Sequence, residues 1–207
     1  MFKITSDILF ATSVAKGSIH DYNRKSLIQT ILDLEKTDET NKRSNAGGWQ
    51  SFHKDNTNFD NIYAEELFQN HIIPILHSVA DSWGFPQTPY VSYWYNINRR
   101  GNYNHSHYHP LAPLSGVFYL KIPTDSGRIV FTRADSESDR MDYLTQWQID
   151  HGVDLSGNIN CNVIYEAIPE EDMIFIFPGH LEHYVTQNNT TDQDDARISI
   201  SFNYFLS

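Results

Sequence analysis

In the stretch RISISFNYF (residues 197–205), polar and apolar side chains alternate from Arg197 to Tyr204. Successive side chains of a β-strand point to opposite faces, so this pattern predicts a strand with one apolar face. Every second residue from Arg197 to Asn203 is polar, and every second residue from Ile198 to Tyr204 is apolar. We expect the apolar face to be buried. The polar face either meets water or lines a polar cavity.

Further strand-like segments precede this one. They are rich in aromatic and β-branched residues, which favour strands, and turn-forming residues separate them. The predicted strands cover residues 90–97, 103–109, 114–122, 128–132, 163–168, 172–177 and 182–187. With the last strand they make about eight short segments, which is typical of a sandwich or barrel. Residues 133–162 are polar and predict a long excursion with a helix around 140–149.

The N-terminal part has a different pattern. Apolar residues recur every three or four positions over 18–35 and 62–83, which predicts two helices. Pro74 is expected to kink or split the second helix, and the Asn, Ser and Gly of residues 41–48 predict a loop. We therefore expect one mainly β domain with N-terminal helices (α+β) over residues 1–207. Residues 1–86 would form a helical support region against one outer sheet of a core at 87–207.

Composition narrows the function. The 207 residues are 40% hydrophobic and carry a net charge of −11 without a basic stripe, so bulk nucleic-acid binding is not expected. One cysteine, Cys161, allows no internal disulfide and suggests a reducing, cytoplasmic setting. The first residues lack the long apolar core of a signal peptide. No apolar run approaches the roughly 20 residues of a membrane span. The oligomeric state stays open, including a homodimer.

The segment GNYNHSHYHP (residues 101–110) carries three histidines, His105, His107 and His109, each two residues apart. On a strand they would share a face, and two such imidazoles can bind one metal ion as neighbouring ligands. Imidazole suits iron, zinc, copper and nickel. The same pattern also fits surface histidines, so this segment alone leaves both interpretations open.

A third ligand would come from IFPGHLEHYV (residues 176–185). His183 begins a predicted strand there, whereas His180 lies in the turn and is the weaker candidate. Arg197 follows His183 by 14 residues, and adjacent antiparallel strands would bring both side chains into one cavity. A metal ion beside a buried guanidinium suits a dicarboxylate, because the arginine fork can hold one carboxylate through two hydrogen bonds.

Three blocks of the chain resemble a family of 2-oxoglutarate–iron(II) oxygenases related to prolyl hydroxylases. The blocks are NHSHYHPLAPLSGVFYLKIP (104–123), IFPGHLEHYV (176–185) and RISISFNYF (197–205), and SNAGGWQS (44–51) is similar to an N-terminal signature of the family. The resemblance implies a double-stranded β-helix, or jelly-roll barrel, with Fe(II) and 2-oxoglutarate as cofactors. It implies metal ligation by His107, His109 and His183, and binding of the far carboxylate of 2-oxoglutarate by Arg197 and Ser199.

Some positions extend this assignment and some depart from the family pattern. Asn203 shares a strand face with Arg197 and is a further candidate for cosubstrate binding. His109 stands where related enzymes usually carry a carboxylate, which gives a three-histidine site. Glu171 and Asp172 stand where a turn glycine is typical. Four tyrosines are expected to serve mainly as core or rim residues: Tyr93, Tyr95, Tyr103 and Tyr119.

The implied function is hydroxylation of an unidentified substrate, with release of succinate and carbon dioxide. Two alternatives remain at this stage. One is a cupin-like three-histidine metalloenzyme that does not use 2-oxoglutarate. The other is a jelly-roll binding protein without catalysis. Binding of 2-oxoglutarate through Arg197 distinguishes the first proposal from both alternatives.

Overall fold

The computed structural model describes residues 11–41, 43–87, 90–133, 146, 149–152, 164–192 and 194–206. The N-terminal part contains α1 (Arg24–Thr37), α2 (Ile62–Leu67), a π-helical turn (Phe68–Ile72) and α3 (Ile73–Ser82). Its strands are β1 (Ala15–Ser18), β2 (Asn45–Ala46), β3 (Trp49–Gln50) and β4 (Lys54–Asp55). The later strands are β5 (Val91–Asn98), β6 (Tyr103–His107), β7 (Leu114–Lys121), β8 (Ile129–Thr132), β9 (Ile164–Ala167), β10 (Met173–Pro178), β11 (His183–Val185) and β12 (Arg197–Tyr204).

The strands form two antiparallel sheets. The larger has the order β1-β10-β7-β12-β5-β3, with β4 also paired to β5, and the smaller has the order β2-β6-β11-β8-β9. Of the two apolar clusters of the described residues, the smaller contains residues of both sheets, such as Phe177 from β10 and Phe131 from β8. The predicted mainly β fold is confirmed, although the described strands form two facing sheets rather than one closed barrel.

The main core lies between the larger sheet and the helices. The apolar face of β12 contributes Ile198, Ile200, Phe202 and Tyr204 to this core. Leu27 of α1 and Leu76 of α3 belong to the same cluster and are fully buried. The alternation in the last strand therefore predicts correctly which face packs in the core. The polar face lies toward the space between the two sheets.

The first helix begins later than its apolar pattern suggests. Residues 15–18 form β1, which pairs with β10 at the edge of the larger sheet. Asn23 then ends the connection as the N-cap of α1, where its side-chain oxygen accepts a hydrogen bond from the Ser26 amide at 3.3 Å. Pairing with a distant strand thus takes Ser18 from the predicted helix, and residues 19–23 form the connection before α1.

The second helical segment continues across Pro74 through a change of helix type. Proline has no amide hydrogen, so it interrupts the hydrogen-bond ladder inside a helix but is tolerated in the first turn. The π-helical turn at Phe68–Ile72 ends just before Pro74, which becomes an early residue of α3. The expected break at Pro74 therefore appears as a π-helical turn between two α-helices.

Residues 1–86 contain more than helices. Strands β1, β3 and β4 join the larger sheet and β2 joins the smaller one, so this region takes part in both sheets. The helix predicted around residues 140–149 lies for the most part outside the described residues. Within the described ranges, no helix has both the length and the apolar character that crossing a membrane requires.

Candidate active site

Three imidazoles meet between the two sheets. His107 is the last residue of β6, His109 follows two residues later, and His183 is the first residue of β11. His107 and His183 are directly paired across the strands. One ring nitrogen from each of the three residues lies within 4.8 Å of the others, a spacing that could hold one metal ion.

Backbone contacts orient two of the rings. The Nδ1 atom of His107 lies 2.7 Å from the His105 carbonyl oxygen, and that of His183 lies 2.8 Å from the Leu181 carbonyl oxygen. A carbonyl can only accept, so each Nδ1 carries the hydrogen and each Nε2 keeps its lone pair. This assignment follows from the hydrogen-bond network, and it leaves both Nε2 atoms able to bind a metal.

His109 lies beyond the end of β6 and is held by other contacts. Its amide donates to the Gly179 carbonyl at 2.7 Å. Its ring is hydrogen-bonded to Asn203, whose Oδ1 accepts a hydrogen bond from the Ser115 hydroxyl at 2.8 Å. Gly179 is needed here because a Cβ atom would lie 2.1 Å from the Ala112 carbonyl oxygen. The Pro-Gly turn and β12 therefore fix the position of the third candidate ligand.

The imidazoles are neutral in this environment. Burial, followed by the nearby imidazoles, lowers the pKa of His109 to about 3. Burial and His107 lower the pKa of His183 to about 3 as well. Burial also lowers the pKa of His107. A metal ligand must be deprotonated, so all three rings are ready to bind a cation at neutral pH.

Arg197 brings an uncompensated charge into the same cavity. Its side chain is buried at 2% exposure. Nη1 donates to the Ser126 carbonyl, whereas Nη2 is buried and has no hydrogen-bond partner among the described residues. Burial lowers the pKa of the guanidinium. An unpaired buried charge is costly, so this arrangement fits an anionic ligand that completes the hydrogen bonding.

The cavity between the sheets offers about 510 Å³ of space, including its opening. Its wall contains the three imidazoles and Arg197 together with Ser199 and Tyr119. The described residues of the wall include no Asp or Glu. Neutral nitrogen ligands at one side and a guanidinium at the other fit a metal ion chelated by a small dicarboxylate.

The prediction that His183 and Arg197 share a cavity is confirmed, but the predicted geometry was wrong. β11 belongs to the smaller sheet and β12 to the larger one, so the two strands are not adjacent. The side chains meet because the sheets face each other across the cavity. Neither His105 nor His180 joins the cluster, since both are exposed and the ring of His105 contacts Tyr103 instead.

The structure places Asn203 beside His109, at the histidine side of the site. Asn203 is six positions from Arg197 along β12, which at about 3.3 Å per residue puts about 20 Å between their Cα atoms. Its contacts are with His109 and Ser115, as described above. Asn203 thus shares the strand face of Arg197 but is placed to orient a candidate ligand rather than to reach a carboxylate at Arg197.

The four tyrosines lie in the core, in the cavity and at the surface. Tyr93 and Tyr95 lie in the core beneath the helices, where both hydroxyls donate to Asp60 at 2.9 Å. Tyr103 is exposed. Tyr119 lines the cavity, and burial raises its pKa to about 12, partly offset by the charge of Arg197. Its hydroxyl therefore stays protonated and can donate a hydrogen bond.

The sequence did not identify two residues of the site, Trp94 and Gly127. Trp94 of β5 lines the cavity, and its ring stacks on His109 at 5.7 Å and on His53 at 4.4 Å between centroids. Gly127, in the turn before β8, leaves room for the Arg197 guanidinium. The alternation of β5 could have identified Trp94, because Trp94, Asn96 and Asn98 occupy the face opposite Tyr93 and Tyr95.

Solved structures of related architecture share this fold. The chain matches a prolyl-4-hydroxylase from Pseudomonas putida with a TM-score of 0.63 and 11% identity, covering 96% of this chain and 95% of that one. A prolyl hydroxylase from Trichoplax adhaerens, solved with a hypoxia inducible factor peptide fragment, matches with a TM-score of 0.61 and 11% identity, covering 94% and 83%. The carbocyclase SnoK from nogalamycin biosynthesis matches with a TM-score of 0.59 and 12% identity, covering 92% of this chain and 78% of that one.

These likenesses establish the fold alone, since their sequence identity to this chain is low. No curated protein matches the sequence. The family described as "Putative 2OG-Fe(II) oxygenase" matches residues 92–203, which is more than half of the chain and includes the histidine cluster and Arg197. The chain therefore belongs to the 2OG-Fe(II) oxygenase family, whose members are 2-oxoglutarate-dependent dioxygenases that use Fe(II).

Proposed function

We propose that this oxygenase hydroxylates its substrate at an iron held by His107, His109 and His183, with 2-oxoglutarate anchored by Arg197. The observation that carries this proposal is the buried Nη2 atom of Arg197, which has no hydrogen-bond partner among the described residues and lies in the same cavity as the imidazole cluster. A charge in this state needs an anion, and the carboxylate of a metal-chelating cosubstrate fits that need.

The three imidazoles would hold the metal through neutral nitrogen atoms. The Nδ1 contacts of His107 and His183 with backbone carbonyls fix those rings, and the hydrogen bond to Asn203 fixes His109. When bound, iron and 2-oxoglutarate supply the oxidising chemistry, with succinate and carbon dioxide as coproducts. The protein supplies the ligand geometry and the orientation of the bound molecules.

The far carboxylate of 2-oxoglutarate would bind at the Arg197 end. Arg197 Nη2 offers a charged donor, and the Ser199 hydroxyl lies on the same strand face two residues away. We add Tyr119 to this set, because its protonated hydroxyl lines the cavity and its pKa responds to the charge of Arg197. The apolar walls, including Val117, Ile129 and Phe177, would limit the water around the reacting groups.

We also propose a cytoplasmic setting, because the single cysteine of the chain allows no internal disulfide. The acidic balance of −11 disfavours bulk nucleic-acid binding.

A turnover assay tests this proposal. Purified protein with Fe(II) should convert 2-oxoglutarate to succinate slowly, even without its primary substrate. Arg197→Gln should weaken 2-oxoglutarate binding roughly 10- to 150-fold, because a hydrogen bond to a charged group contributes about 1.5–3 kcal/mol. Arg100→Gln alters an exposed arginine and serves as the control. Equal 2-oxoglutarate affinity in the Arg197 and Arg100 variants would contradict the proposed role of Arg197.

A further inference from the structure

The opening of the cavity beside the metal ligands has its own chemical character. Trp94 lines the cavity there, with its ring stacked on His109. The His53 ring stacks on Trp94 with an interplanar angle of 7° and lies at the protein surface. Phe52, next to His53, is 55% exposed. The stacked rings of His53 and Trp94 form an aromatic rim that leads from the protein surface to the histidine cluster, and Phe52 is adjacent to this rim in the chain.

A positive charge lies next to this aromatic rim. Arg43 is exposed and directly precedes Ser44, which lines the cavity and whose carbonyl accepts a hydrogen bond from the His105 amide at 2.9 Å. Arg43 is also close enough to His53 to lower the pKa of that imidazole, after the larger effect of burial. No ion pair to Arg43 exists within the described ranges. Its guanidinium is therefore available to a ligand.

The positive charge of Arg43 contrasts with the acidic character of the whole chain. The chain carries a net charge of −11, yet the cavity wall contains no carboxylate among its described residues. Arg197 faces the interior and would be neutralised by 2-oxoglutarate. An anion that reaches the aromatic rim would thus meet Arg43 without a competing carboxylate from the wall, whereas a cation would meet the like charge of Arg43.

We propose that the primary substrate is an anion whose carboxylate or phosphate group binds Arg43 while its apolar or planar part lies against the aromatic rim of His53 and Trp94. Guanidinium binds carboxylate and phosphate groups through paired hydrogen bonds, and aromatic rings bind planar groups by stacking. Arg43 directly precedes the wall residue Ser44 and is close enough to His53 to act on its charge, so one small molecule could contact both features. This inference rests on the proposed function, because it treats the histidine side of the cavity as the place of reaction.

The test uses the full-length protein, held anaerobically with Fe(II) and saturating 2-oxoglutarate so that the Arg197 end is occupied. Saturation of 2-oxoglutarate binding is established first, and absence of binding at that step would refute the proposed function rather than this inference. Four probes of similar shape are then compared by ligand-observed NMR. They are phenylacetate and phenyl phosphate as anions, phenylacetamide as the neutral probe and phenethylamine as the cation.

The variants are Arg43→Glu and Lys25→Glu. Both change the net charge by the same amount, but Lys25 is an exposed residue of α1, on the opposite side of the larger sheet from the cavity. We expect the two anions to bind the wild-type protein at least tenfold more tightly than the neutral and cationic probes. Arg43→Glu should abolish this preference, whereas Lys25→Glu should keep it, and 2-oxoglutarate affinity should change less than twofold in both.

Two patterns of probe binding would overturn the proposal. One is binding of the four probes to the wild-type protein without regard to charge. The other is an anion preference that survives in Arg43→Glu, which would assign it to the metal or to the general field of the protein. Loss of 2-oxoglutarate binding in Arg43→Glu alone would also count against it, because Arg43 would then act on the cosubstrate.

Discussion

Gly127 lies directly against the buried guanidinium of Arg197. A Cβ atom at Gly127 would be 2.9 Å from Arg197 Nη1 and 2.4 Å from the Thr186 carbonyl oxygen, and the backbone φ there is +93°. The preceding residue, Ser126, supplies the carbonyl that accepts a hydrogen bond from Nη1. The turn at Ser126–Gly127 thus holds one nitrogen of the guanidinium with the main chain, and this leaves the other nitrogen for a ligand.

Gly127→Ala should therefore weaken 2-oxoglutarate binding without removing a group that contacts it. The new methyl group would force either the turn or the guanidinium to move, and we expect an affinity loss of about tenfold, or about 1.4 kcal/mol. Fe(II) affinity should stay within twofold. Calorimetric titration of both ligands measures these effects.

Gly84→Ala is the matched control for that substitution. Gly84 also has a positive φ, +75°, but no other atom lies within 4 Å of a Cβ there. Both variants thus carry the strain of a left-handed alanine, about 1–2 kcal/mol, and only one disturbs Arg197. If the two variants bind 2-oxoglutarate equally well, Gly127 does not position Arg197.

Asn203→Ala should lower the affinity for Fe(II). The substitution frees the His109 ring and leaves the buried Ser115 hydroxyl without its acceptor. Loss of a residue that orients a metal ligand typically costs 10–100-fold in affinity, and we expect a change of about that size. Competition with a fluorescent chelator under anaerobic conditions gives the measurement. Asn70→Ala, at an exposed position of the π-helical turn, should leave iron binding unchanged.

Acid should destabilise the metal-free protein. In the folded chain the pKa of His109 and of His183 is about 3, whereas histidine in an unfolded chain titrates near about 6.5. Above about pH 6.5 neither state takes up these protons, so stability does not depend on them. As the pH falls below about 6.5, the unfolded chain binds protons that the folded chain does not, and the free energy of unfolding decreases toward about pH 3.

Thermal unfolding of chelator-treated protein between pH 7.5 and 5.5 measures this dependence. The midpoint should fall across that interval. His183→Gln removes one of the low-pKa groups and should make the fall shallower, even if the variant is less stable at every pH. A midpoint that rises as the pH decreases would show that the folded protein takes up these protons.

Tyr22→Phe should destabilise the fold without affecting the site. The Tyr22 hydroxyl donates to the Asp172 carboxylate at 2.5 Å and links the start of α1 to the turn before β10. A partly exposed hydrogen bond to a charged group contributes about 1–2 kcal/mol, so the free energy of unfolding should fall by about that amount. Denaturant unfolding measures the loss. Tyr63→Phe, whose hydroxyl makes no hydrogen bond within the described ranges, should have a smaller effect.

The same contact explains one departure from the family pattern. Asp172 adopts a left-handed backbone with φ of +67°, the conformation that favours glycine. Aspartate tolerates this region better than most residues, and Tyr22 and Arg24 hold its carboxylate. The sequence shows a carboxylate at a turn position, but the partners that stabilise it lie about 150 residues away and cannot be predicted from local pattern.

The alternation of polar and apolar residues in β12 predicts some features of the site and not others. The pattern of residues 197–205 predicts correctly which side chains of β12 face the core. It does not say which sheet lies opposite, so the joining of His183 and Arg197 across the cavity differs from the predicted pairing of neighbouring strands. The alternation also does not tell which part of the site each position along the strand reaches. Asn203 and Arg197 share a face, but they contact different parts of the site.

An anaerobic titration with Fe(II) and 2-oxoglutarate tests the central claim most directly. If the three imidazoles hold iron beside Arg197, adding 2-oxoglutarate to the iron-loaded protein should produce a weak visible charge-transfer band. Succinate, which lacks the keto group, should produce none. His183→Ala should lose the band through loss of iron, and Arg197→Gln should need more 2-oxoglutarate to reach it. A wild-type protein that binds Fe(II) but shows no band at any 2-oxoglutarate concentration would contradict the account.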